Sequence, residues 1–150
     1  MNTITLVFAT RRWNPISWLI RWAVPRSRFA LSRSSHCMIE RDSVIYEASM
    51  LHGVRCGHRD AILYGMVVVD RIHYSVPDAE AGLDWLAAQC GKRYDWRAAL
   101  GLSLTPYRDW AEDDSWYCYE LAAGALRAAG RDEFANLQHI GEIALMAIKP

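Results

Sequence analysis

This chain of 150 residues carries no net charge, because 17 basic and 17 acidic side chains cancel. Without a basic excess there is no global electrostatic footprint for nucleic acid, and nucleic acid is not expected as a partner. Short metal clips are missing too. The four cysteines, Cys37, Cys56, Cys90 and Cys118, are 19, 34 and 28 residues apart and form no CxxC. The segment HC (36–37) and the segment CGH (56–58) could suggest zinc, but their spacing lacks the loop geometry of a structural site. HExxH and glycine-rich phosphate loops are also absent, so neither metal nor cofactor is expected. Long apolar runs are lacking. WNPISWLIRWAV is short and broken by Arg21, and MNTITLVFAT has neither the basic start nor the apolar stretch of an export signal. These absences read as a soluble protein made in the cytoplasm. No repeat, linker or low-complexity tract divides it, so residues 1–150 are expected to form a single domain with enough chain for a real core.

Aromatic rings, by contrast, are plentiful, with seven tryptophans and seven tyrosines. That number suits both a core and a cleft that grips a ligand. Charge is unevenly spread. Residues 1–35 hold Arg11, Arg12, Arg21, Arg26, Arg28 and Arg33 and no acid, whereas Glu112, Asp113 and Asp114 are clustered. The arginines suit a solvated face or a weak contact with an anionic surface through residues 11–33.

The local pattern is mixed. ITLVFAT (4–10) reads as a buried strand, and Asn14-Pro15 as the start of a helix to about Val24, with an apolar stripe at Ile16, Leu19, Ile20 and Ala23. A basic, serine-rich loop (25–35) follows. Residues 36–40 and 43–49 read as a hairpin turning at Arg41-Asp42-Ser43. Gly53-Val54-Arg55 suits a third strand, and YGMVVVDRIHY (64–74) a central one. Pro77, Asp78 and Glu80 open a helix that ends near Cys90-Gly91. RYDWRAALGLSLTPY is a loop with a short helix. Asp113-Asp114-Ser115 cap the next helix, which Gly130 stops, and IGEIALMAIK is a last helix or strand. The fold class expected is α+β, a small antiparallel sheet packed with helices.

Cys118 falls in the first turn of one of these helices, where unpaired N–H groups and the positive dipole end stabilise a thiolate and can cradle an oxyanion. A thiolate nucleophile needs a base, and the base needs an orienting partner. His36 opens a strand. The hairpin pairs it roughly with residue 48, so Glu47 or Ser49 lies near, and His36 and Glu47 share a face if the register slips by one. Glu40 and Ser49 compete with Glu47 for the orienting role. Cys37 points to the opposite face and into the core. Tyr94, after a helix-ending glycine, could face the cleft and donate to the oxyanion or substrate. Trp116 and Tyr117 flank Cys118 and could wall the site. As packing residues all three would instead anchor the loop and the helix start.

SHCMIERDSVIYEAS, then GVR, GKRYDW and WYCYELAA, resemble the circularly permuted branch of the NlpC/P60 papain-like superfamily, over about residues 4–130. In that branch the histidine strand precedes the cysteine helix, as His36, Glu47 and Cys118 are ordered here. The resemblance implies a permuted papain-like fold and a metal-free Cys–His–polar hydrolase or acyltransferase, with Glu47 as the third catalytic residue. Two residues depart from the pattern: Tyr119 stands where Ser or Thr is commoner, placing bulk near the nucleophile, and Cys37 follows the histidine. Substrates in that branch include cell-wall peptides and lipid acyl groups, and proteins of this look occur in bacteria and phages.

Three functions are therefore open. The first is a cysteine peptidase or amidase cleaving a peptide or ester through an acyl-enzyme. The second is a lipid acyltransferase or thioesterase using the same three residues. The third is a non-catalytic, phage-related binding or structural module.

Overall fold

In the computed structural model, residues 2–15, 17, 18, 21, 33–99, 114–134 and 141–148 are described. They form an α+β fold with a five-stranded antiparallel sheet. The strands are β1 (Thr3–Thr10), β2 (His36–Arg41), β3 (Val44–Ser49), β4 (Gly53–His58) and β5 (Val67–Ser75), in the order β4-β3-β2-β1-β5. The helices are α1 (Arg59–Ile62), α2 (Ala79–Gln89), α3 (Cys118–Ala128) and α4 (Glu142–Ala147). The last settles the tail as helical. A two-stranded parallel pair, β6 (Arg93–Tyr94) and β7 (Ser115–Trp116), runs beside them.

The hairpin β2–β3 turns on two residues, Asp42 and Ser43, both with positive φ (49° and 70°), which matches the right-handed twist of the strands. That turn fixes the register: Arg41 pairs with Val44, Glu40 with Ile45 and Ile39 with Tyr46. Continued to the strand start, it sets His36 opposite Ser49 rather than residue 48. This is the one-residue shift that puts His36 and Glu47 on the same face as diagonal neighbours.

The sheet buries both faces. Leu6, Phe8, Cys37, Ile39 and Ala48 pack with α2 and α3, while Val7, Ala9, Met38 and Ile45 join Ile62 of α1 on the other side. α3 is the best-buried helix, with eight of its eleven residues inside. Fully covering Leu121 and Leu126 contributes roughly 1.5–3 kcal/mol each. Trp85 of α2 lies so close to Gly124 of α3 that an added Cβ would come within 2.3 Å of its ring. α3 ends in a Schellman motif: Arg131 N–H donates to Leu126 C=O and Gly130 N–H to Arg127 C=O, with Gly130 at φ 91°.

The structure corrects two expectations. The segment 64–74 is not a central strand; β5 lies at the sheet edge, paired with β1. Its exposed Asp70, Arg71 and His73 are what an edge strand tolerates and a central one would not. Asp114-Ser115 do not cap α3: Ser115 is paired with Arg93 in the small parallel sheet, and the cap position is Tyr117, whose side chain makes no capping bond. Asp113 lies outside the described residues, as do most of the helix expected over 15–24, including its whole apolar stripe, and most of the loop 25–35. Pro15, Ser17, Trp18 and Arg21 are helical, and Trp18 N–H donates to Asn14 C=O at 3.2 Å.

Candidate active site

Three elements converge on one point. Cys118 is the first residue of α3, and the first helical bond runs from Leu121 N–H to Tyr117 C=O. The N–H groups of residues 118–120 therefore precede the helical ladder and carry its positive end. The Cys118 sulfur lies near the His36 ring and acts on its charge. His36 Nε2 donates to Glu47 Oε2 at 2.6 Å, which leaves Nδ1 as the ring nitrogen for the sulfur. Glu47, only 1% exposed, takes a second cation on its other oxygen: Arg55 Nε at 2.7 Å and Nη2 at 2.6 Å, both to Oε1.

The electrostatics follow from these contacts. Burial alone would push the His36 imidazole down. The interactions with Cys118 and Glu47, including the negative charge on both, outweigh it and push the ring up to about 9. Burial would likewise push Glu47 up, yet its bonds and charge interactions with His36 and Arg55 hold it below the usual carboxylate range. The arrangement is thus a sulfur, an imidazole and a buried carboxylate in series, with the ring poised to be charged.

A groove of about 280 Å³ opens over this point, lined by His36, Glu47, Arg55, Tyr94, Ser35 and Met50 among others. Ser35 Oγ is bonded to Ser17 Oγ at 2.8 Å, which ties the strand start to the residue 17 segment. Cys118 itself is only 4% exposed and does not line the groove, whereas His36 does.

Tyr94 faces the groove, and burial first, then the negative charges on Cys118, Tyr117 and Asp95, push its hydroxyl up, so it stays a hydrogen-bond donor. Trp116 and Tyr117 do not line the groove. Trp116 packs edge-on to Trp85 at 5.1 Å and donates to Gln89 Oε1, and Tyr117 is buried in the helix-side core. Tyr119 also turns inward: its hydroxyl pairs with Ser34 Oγ at 3.3 Å, so its bulk fills the interior and not the groove. The two rivals for the orienting role are engaged elsewhere. Glu40 accepts from Arg59 and Arg71, and Ser49 Oγ meets His52 Nδ1. Cys37 is fully buried among the helix-side core residues.

The sequence reading missed Arg55. The signal was available: a three-residue loop, Met50–His52, between β3 and β4 pairs Glu47 directly with Arg55. Trp96 also lines the groove. Among the described residues no group of three or more His, Cys, Asp or Glu side chains is placed to hold a metal ion, and no helix is long and apolar enough to cross a membrane. Compared with the models of known families, with curated proteins and with solved structures, the chain matches none.

Proposed function

We propose that the chain is a cysteine hydrolase of the permuted papain-like kind, acting on an amide or ester, with a cell-wall peptide as the first substrate to try. The observation that carries this reading is the His36 ring bonded to buried Glu47, with the Cys118 sulfur near enough to raise its pKa. Cys118 attacks the carbonyl carbon as a thiolate. His36, protonated through Nδ1, then gives its proton to the leaving amine or alcohol, and Glu47 holds the ring in orientation through Nε2. The N–H groups at the start of α3, with the Tyr94 hydroxyl, receive the oxyanion. Water, deprotonated by His36, releases the acyl group and restores the thiol. The order of His36, Glu47 and Cys118 along the chain supports the permuted branch.

The test is alkylation of each cysteine in the folded protein by a small reagent, followed by mass spectrometry against pH. Cys118 is expected to react near neutral pH, and His36→Ala to slow it at least tenfold. A Cys118 that reacts only after unfolding would refute the hydrolase reading and leave the chain a binding or structural module.

A second reading, acyl transfer at a lipid surface, has its own support. Trp13 is 96% and Trp18 60% exposed, beside Arg11, Arg12 and Arg21, and Arg11 also lines the groove. Amphipathic rings and arginines are the pairing that an anionic bilayer interface attracts. Salt-sensitive flotation with anionic vesicles, lost in Trp13→Ala/Trp18→Ala, supports this reading. No binding at low salt removes it.

A further inference from the structure

Cys56 and Cys90 have no part in the chemistry above. They are 34 residues apart in sequence, yet the fold brings the two chain segments that carry them side by side. Two backbone bonds build the contact. Val54 N–H donates to Lys92 C=O at 2.9 Å, and Gly91 N–H donates to Val54 C=O at 2.8 Å, so the chain leaving α2 runs along the open edge of β4. Gly91, at φ 92°, makes the turn that allows this. Cys56 lies two residues beyond Val54 on the same strand face, opposite Tyr46, and Cys90 is the C-cap of α2. Cys56 is exposed and Cys90 half-buried, its thiol donating to Leu86 C=O at 3.6 Å, and each thiol is near enough to act on the other's ionisation.

We propose that Cys56 and Cys90 form a dithiol modification site, whose co-reactant is a small-molecule disulfide. Exposed Cys56, as thiolate, attacks one sulfur of the reagent; a Cys56–reagent bond forms and one reagent thiol leaves. Cys90 then loses its proton and attacks the Cys56 sulfur, releasing the second reagent thiol. Two cysteine thiols and one disulfide become one protein disulfide and two small thiols, with two electrons passed to the reagent.

The order of the two steps follows from the pair. Burial first, then the nearby Cys56, push Cys90 up to about 11. The linked residues adjoin the groove, since Arg55 precedes Cys56 and Tyr94 follows Cys90 by four residues.

Oxidised glutathione added to the folded protein, with quenching, intact-mass measurement and peptide mapping, tests this. The wild type is expected to lose two hydrogens and yield a Cys56–Cys90 cross-linked peptide. Cys90→Ser is expected to stop at one glutathione on Cys56, and that adduct to persist at least tenfold longer than in the wild type. Cys56→Ser should leave Cys90 unmodified until the protein unfolds. A stable adduct on wild-type Cys56 with Cys90 free, a cross-link to any other cysteine, or a cross-link found only in denatured protein would overturn the proposal. The wild-type map decides even if a serine variant folds poorly, and alkylation of Cys118 in the same samples reads the hydrolase site separately.

Discussion

Glu40 and Glu47 are two buried carboxylates on the two strands of one hairpin, and each is gripped by arginine. Glu40 is held by Arg59 and Arg71. Glu47 is held by Arg55 on one oxygen and His36 on the other. The first is a closed ionic cluster that ties α1 and β5 to β2. The second has one oxygen committed to a titratable ring that in turn meets a sulfur. A carboxylate becomes an orienting group through the partner of its second oxygen, not through burial or arginine contact, which both share.

If the comparison holds, removing the sulfur has the largest effect. Cys118→Ala should lower turnover of a confirmed substrate by on the order of 10⁴-fold or more, measured as kcat. Full turnover would end the proposed mechanism. Next, Glu47→Gln should lower kcat by roughly 10²–10⁴-fold, since the ring loses its charged acceptor, whereas Glu40→Gln should leave kcat within about threefold and cost roughly 1–2 kcal/mol in denaturant unfolding. Equal effects on activity would erase the distinction.

Arg55→Ala should move the acidic limb of the kcat/KM profile to higher pH, because Glu47 loses a cation that holds its carboxyl down. Arg55→Lys should partly restore the limb. An unmoved limb would make Arg55 a surface contact only.

Stability should also follow pH. His36 is raised from 6.5 to about 9, so its contribution is complete below about 6.5 and fades as pH rises through about 9. Glu47 is lowered, so its contribution is present above 4.5 and fades as pH falls through its depressed value. Urea midpoints for wild type and His36→Ala should therefore converge on the alkaline side. The smallest effect expected is that of Gly130→Ala, about 1–2 kcal/mol, from the positive φ and the approach of Pro77 to 2.9 Å.

What could be read from the sequence was what short range decides. The β2–β3 hairpin was legible because alternation and the Asp42-Ser43 turn lie within fourteen residues, 36 to 49, and the helix ends at Gly91 and Gly130 were legible because glycine marks them. Register was off by one because the turn contains two residues, not three. β5 was misplaced because valine-rich sequence reports strand propensity, while its neighbours decide centre or edge. Trp116 and Tyr117 looked like site walls because they flank Cys118, yet the Trp85 contact and the helix-side core take them up. The Cys56–Cys90 contact was invisible for the same reason: no spacing rule joins residues that meet only through tertiary packing.

The Asp42-Ser43 turn also sets an order of events. β1, β2 and β3 are complete once residue 49 has been made, and a hairpin of this kind closes in about 1–10 µs. Cys118 is synthesised about 70 residues after Glu47, which at roughly 5–20 residues per second is several seconds later. The imidazole and its carboxylate thus have time to find each other long before the sulfur exists, and α3 docks its first residue onto a pair that is already waiting.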